Sequence, residues 1–117
     1  MSLADVQTYV QANRQAFLDS LFELLRFPSI ANIADPDGCR PCAEWLMSYL
    51  ADAGFVAELL EAPEAQPAVF AEHHEGDDLP TLLIYGHYDV QPADPLELWD
   101  SEPFEPEVRD GWLFARG

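Results

Sequence analysis

The sequence predicts an α/β fold in which helices pack on a mixed, mostly parallel sheet. Three observations lead there. Apolar residues recur at helical spacing as far as residue 53, the pattern shifts to short strand-like runs after Gly54, and one of those runs, Leu82-Leu83-Ile84, is apolar without interruption. Amphipathic helices and strands bury their apolar sides against one another in layers. An uninterrupted apolar strand is expected to be covered on both faces, as strands of parallel sheets are.

Each element has its own signal. Residues 3–27 read as one helix: Ser2 can cap it, Asp5 lies in its first turn, and Phe17, Leu18, Leu21, Leu24 and Leu25 form one apolar face. Pro28 disfavours helical geometry at Phe27 and ends it. Residues 29–38, with Pro36 and two aspartates, read as a loop. A second helix is expected over 40–53, with Ala43, Leu46, Met47 and Leu50 inward and Gly54 as the residue that stops it. Residues 55–60, 68–73 and 81–85 are short runs of strand type, joined by turns at 62–67 and 75–80. Asp110-Gly111 signals a hairpin between 106–109 and 112–115.

Composition narrows the function classes. The 117 residues hold 22 acids and only 5 bases, all arginine, for a net charge of -17. Such a surface repels phosphate backbones and anionic lipid, so neither nucleic acid nor membrane is an expected partner. The longest apolar runs are four residues, against roughly 20 for a membrane span. Residues 1–10 lack the basic-then-apolar pattern of a secretory signal. A cytoplasmic location is the expectation.

Cys39 and Cys42 form a C-x-x-C around Pro41. The spacing suits a redox pair or half a zinc site. No strand precedes it, however, and no second Cys or His pair is spaced to complete a metal site. Pro41 suits the first turn of a helix, and Cys42 falls near its apolar stripe as a small buried side chain.

The chemistry-bearing segment is Leu82-Leu83-Ile84-Tyr85-Gly86-His87-Tyr88-Asp89-Val90-Gln91-Pro92. In extended backbone His87 and Asp89 project to the same side. They follow a strand, and ligands of open α/β sheets gather at the carboxyl ends of strands. Neutral imidazole binds zinc well, while a carboxylate can co-ligate or fix the imidazole's orientation. Gly86 leaves space for close approach. His73 and His74, before an acidic turn, read as surface imidazoles.

The string Gly86-His87-Tyr88-Asp89-Val90-Gln91-Pro92 after an apolar strand resembles the metal-binding signature of the M20 metallopeptidases, nearest to the dipeptidase branch with its carnosine dipeptidases. The resemblance continues through Trp99, Pro103-Phe104, Pro106, Asp110-Gly111 and Arg116-Gly117, and Pro28-Ser29 resembles the family's first helix–loop junction. It implies a hydrolase with two zinc ions, with Mn²⁺ or Co²⁺ as alternatives, cleaving a dipeptide or N-acyl amino acid with a metal-activated water. His87 would then be a metal ligand, and Asp89 the catalytic-site carboxylate that orients it. In the family the bridging aspartate follows the Arg-Gly at once. The glutamate base, the other ligands and a lid domain used for dimerisation come later. Residues 1–117 are therefore expected to be the N-terminal part of a catalytic domain, inactive alone and prone to self-association, from a parent enzyme that is a homodimer.

The competing readings are weaker. A non-catalytic acidic interaction module fits the charge but leaves residues 86–92 unexplained. A nucleotide-binding domain lacks a G-x-G-x-x-G turn after a strand, and a serine hydrolase lacks G-x-S-x-G.

Overall fold

The computed structural model describes residues 1–31, 35 and 37–117; positions 32–34 and 36 of the expected loop lie outside the described residues. The chain is a flat α/β layer, 52 × 43 × 19 Å along its principal axes.

The expected first helix divides in two, α1 (Leu3–Ala12) and α2 (Arg14–Leu25). Ser2 and Asp5 close a reciprocal capping box at the start of α1, and its hydrogen bonds hold the Asp5 carboxyl below its usual range. The division falls at Asn13. Its side-chain amide donates to the Tyr9 carbonyl at 2.9 Å, the same oxygen its backbone N–H uses. Asparagine competes locally with the helical ladder, and the helix turns there. At the end of α2, Arg26 and Phe27 donate three residues back and tighten the last turn ahead of Pro28.

Helix α3 (Arg40–Asp52) begins with Pro41 in its first turn and buries Cys42 and Ala43. It ends in a Schellman arrangement: Phe55 N–H donates to Leu50 and Gly54 N–H to Ala51, with Gly54 at φ 96°. That reversal launches β1 (Val56–Leu60), which pairs antiparallel with β2 (Ala68–Glu72). Ala57 and Leu59 stand opposite Ala71 and Val69 in the register, and these four are the half-buried positions of the ladder. A second hairpin joins β3 (Glu107–Arg109) to β4 (Trp112–Phe114). Asp110 and Gly111 both take positive φ, as its two-residue turn requires. Arg109 pairs with Glu107 and lies over the Phe114 ring.

Two expectations are corrected. Both ladders among the described residues are antiparallel, because a short turn can only fold a strand back on its neighbour. The single parallel pairing described is a bridge between Ile30 and Val90. Residues 81–85 enter no ladder: Leu82 is 81% exposed and Tyr85 91%. Their apolar run matches a strand covered on both faces, and no described element of the chain covers it. The buried core is correspondingly small and centres on Ser29, Cys39, Cys42, Ala43, Pro67 and Ala93.

Candidate metal centre

Three anchors fix the segment that carries His87. Ser29, only 3% exposed, donates its hydroxyl to the Tyr88 carbonyl at 2.7 Å and accepts the Val90 N–H on its own carbonyl at 2.9 Å. Tyr88 points the other way, its phenol donating to the Pro67 carbonyl beside the buried cysteines. Burial pushes the Tyr88 phenol up to about 12. Arg116 supplies the third anchor: its Nε donates to the Gln91 carbonyl at 2.8 Å and an Nη to the Pro92 carbonyl at 3.0 Å.

With Tyr88 turned inward, its neighbours project outward. The His87 side chain is 72% exposed and that of Asp89 45%. His87 Nδ1 lies 2.9 Å from the Asp89 carbonyl oxygen and 3.2 Å from its carboxylate. Both neighbours can only accept, so Nδ1 is a donor, and in the neutral ring the lone pair then lies on Nε2. A small cleft of ≈ 140 Å³ runs from His87 between Leu25, Phe27 and Arg116.

This arrangement suits one ligand position of a metal site: an imidazole whose Nδ1 donates to a carbonyl with a carboxylate close by. Among the described residues there is no group of three or more His, Cys, Asp or Glu that could hold an ion. His73 and His74 are spent on acids nearby, Glu75 and Asp77, as expected of surface imidazoles. Cys39 and Cys42 are buried and unbridged, with burial raising both thiols, which fits packing rather than redox chemistry.

The spacing of His87 and Asp89 puts them on one side, but the groups that hold them are distant in sequence. Ser29 and Arg116 lie 59 and 25 residues from the groups they bind. No periodicity reports such contacts, and the only trace was their presence in the Pro28-Ser29 and Arg116-Gly117 pairs.

Residues 83–117 match Peptidase family M20/M25/M40. Succinyl-diaminopimelate desuccinylase of Stenotrophomonas maltophilia is 38% identical over 102 residues, covering 87% of this chain and 25% of the relative. The enzyme of that name from Nitrosomonas europaea is 39% identical over 83 residues, 71% of this chain and 20% of the relative. Among solved structures, the dipeptidase Dug1p of Saccharomyces cerevisiae superposes with a TM-score of 0.84 over 99% of this chain and 27% of that one, at 24% identity. Human carnosine dipeptidase 1 gives 0.82, with the same coverage and identity. The fold is thus that of a peptidase α/β domain, of which this chain spans about a quarter of the length of its relatives. The likeness to the M20/M25/M40 peptidases is carried by residues 83–117 and by relatives of which this chain covers about a quarter.

Proposed function

We propose that residues 1–117 are the N-terminal part of the catalytic domain of a zinc-dependent amide hydrolase, with His87 as a metal ligand through Nε2. Asp89 is a positioning residue: its carbonyl accepts Nδ1–H at 2.9 Å with its carboxylate 3.2 Å away, which leaves Nε2 for the metal. The observation that carries this reading is that geometry, inside the segment that matches the family. Ser29 and Tyr88 hold the turn from opposite sides, so the imidazole is presented at a fixed point on the edge of the cleft. Zinc, when bound with its remaining ligands, polarises the substrate carbonyl and acidifies a water.

The substrate class is a dipeptide or an N-acyl amino acid. The relatives are named for desuccinylating diaminopimelate and the structural neighbours as dipeptidases, and both names describe cleavage of an amide on an amino acid. Two zinc ions per site, replaceable by Mn²⁺ or Co²⁺, a homodimeric whole enzyme and a cytoplasmic location belong to the same proposal. No helix described here is long and apolar enough to cross a membrane.

One imidazole does not make a catalytic zinc site, which takes about three protein ligands and an open position. The chain alone is therefore expected to be inactive. The test is hydrolysis of a dipeptide and of an N-succinyl amino acid with added Zn²⁺ or Mn²⁺. It is run on this chain, on the full-length enzyme and on its His87→Ala variant. Turnover by the full-length enzyme alone, lost in the variant, is the expected result. Turnover by the isolated chain, or full activity without His87, contradicts the proposal.

A further inference from the structure

Arg116 anchors the segment after His87 and Asp89, and what that contact does for the metal site goes beyond the function proposed above. Arg116 makes three hydrogen bonds, two of them to the strap that follows His87 and Asp89. Its Nε and Nη2 reach the carbonyls of Gln91 and Pro92 at 2.8 and 3.0 Å, and its backbone N–H donates to the Pro103 carbonyl at 2.7 Å. Gly117 follows directly against α2: a Cβ there would stand 2.9 Å from Leu25 Cδ2. The exit of β4 is therefore fastened both to the strap that follows His87 and Asp89 and to the 103 turn.

We propose that Arg116 is a positioning residue of the metal centre, a planar clamp across two consecutive carbonyls that fixes the direction in which His87 is presented. This rests on the reading of His87 as a metal ligand. The guanidinium suits the task because its donors are set in a rigid fork, so Nε and Nη2 meet neighbouring acceptors at once. A lysine is a point charge on a flexible stem and cannot hold both carbonyls in that geometry. The neighbouring residue has no room to be large without displacing Leu25. Ser29 holds the same turn from its other side, through Tyr88 and Val90. Removing the clamp thus frees one end of a segment whose other end stays tied.

The test titrates Zn²⁺ into the isotope-labelled full chain and reads local affinity from the amide resonances of Tyr88, Asp89 and Val90. Wild type, His87→Ala, Arg116→Ala and Arg116→Lys are compared. Exchange of the Val90 amide in metal-free protein is a second readout, and thiol reactivity of Cys39 and Cys42 reports whether the core is intact. Arg116→Ala and Arg116→Lys are both expected to weaken the local zinc response about tenfold, the scale of losing a group that orients a ligand. Both are also expected to speed Val90 exchange while the thiols stay protected. An unchanged zinc response and unchanged exchange in Arg116→Ala, or restoration of both by Arg116→Lys, overturns the clamp. If Arg116→Ala exposes the thiols, Arg116→Lys decides the matter, since it keeps the charge and most of the stem. A wild-type zinc response in His87→Ala refutes the metal reading instead, and Val90 exchange still judges the clamp.

Discussion

Replacing Ser29 by alanine isolates the contact on which the geometry of the candidate centre depends most. The Ser29 hydroxyl donates to the Tyr88 carbonyl at 2.7 Å from a side chain that is almost wholly buried. Alanine fits the space, keeps the backbone bond from Val90 N–H to the residue 29 carbonyl, and leaves the Tyr88 carbonyl without its donor. An unsatisfied polar group of this kind costs about 1–3 kcal/mol. Taking about 2 kcal/mol, the ratio of folded to unfolded chain falls about 30-fold, and the melting temperature of a domain this size drops by about 8 °C. Urea unfolding followed by tryptophan fluorescence gives the free energy, and the slope against urea should be unchanged. Ser48→Ala is the control. Its hydroxyl bonds the Glu44 carbonyl on the exposed side of α3, and a surface substitution of that sort shifts stability by less than about 0.5 kcal/mol. If Ser29→Ala costs no more than Ser48→Ala, the His87 turn is not held by Ser29 and the packing argument fails.

Other expectations follow from the same structure. Tyr88→Phe removes the phenol that bonds the Pro67 carbonyl and should destabilise the chain by about 1 kcal/mol in the same urea assay. Because burial raises the Tyr88 phenol to about 12, wild type should lose stability as pH climbs from the ordinary tyrosine value of 10.0 towards 12, a slope that Tyr88→Phe lacks. His73 is raised above 6.5 by Glu75 first and then by the Gly54 carbonyl. Its contribution is present in full below 6.5 and disappears as pH rises through the folded-state value, so His73→Ala should flatten that part of the stability profile. The bare apolar run at residues 82–85 should drive concentration-dependent self-association in size-exclusion chromatography. Salt should strengthen that association by screening a net charge of -17, and Leu83→Lys should abolish it. A monomer at every concentration and salt level would count against a sheet edge open to pairing.

Much of this was legible locally. The capping box at Ser2 and Asp5, Pro41 at the start of α3, Gly54 at its end and the Asp110-Gly111 turn each depend on a few adjacent residues, and each appears as the sequence implies. The features that depart from the local pattern depend on partners. Asn13 splits the first helix because its amide competes for the Tyr9 carbonyl, which helical periodicity does not register. The run at 81–85 carries the pattern of a covered strand, but a pattern records only what a segment would bury, and here no described neighbour buries it. At the candidate centre, the spacing of His87 and Asp89 gave their common side. The anchors Ser29, Tyr88 and Arg116 emerged only with the fold, because each reaches its acceptor across 21 or more residues of chain.

The account stands on the His87 ring being held through Nδ1 with Nε2 left open. Histidine ring ¹⁵N spectra of the metal-free chain near neutral pH read the tautomer directly. The predicted result is a His87 proton on Nδ1, with the preference weakened but not abolished in Asp89→Ala, which removes the carboxylate and keeps the residue 89 carbonyl. A His87 ring protonated on Nε2 in the wild-type chain would contradict the assignment, since the nitrogen meant for the metal would already be a donor.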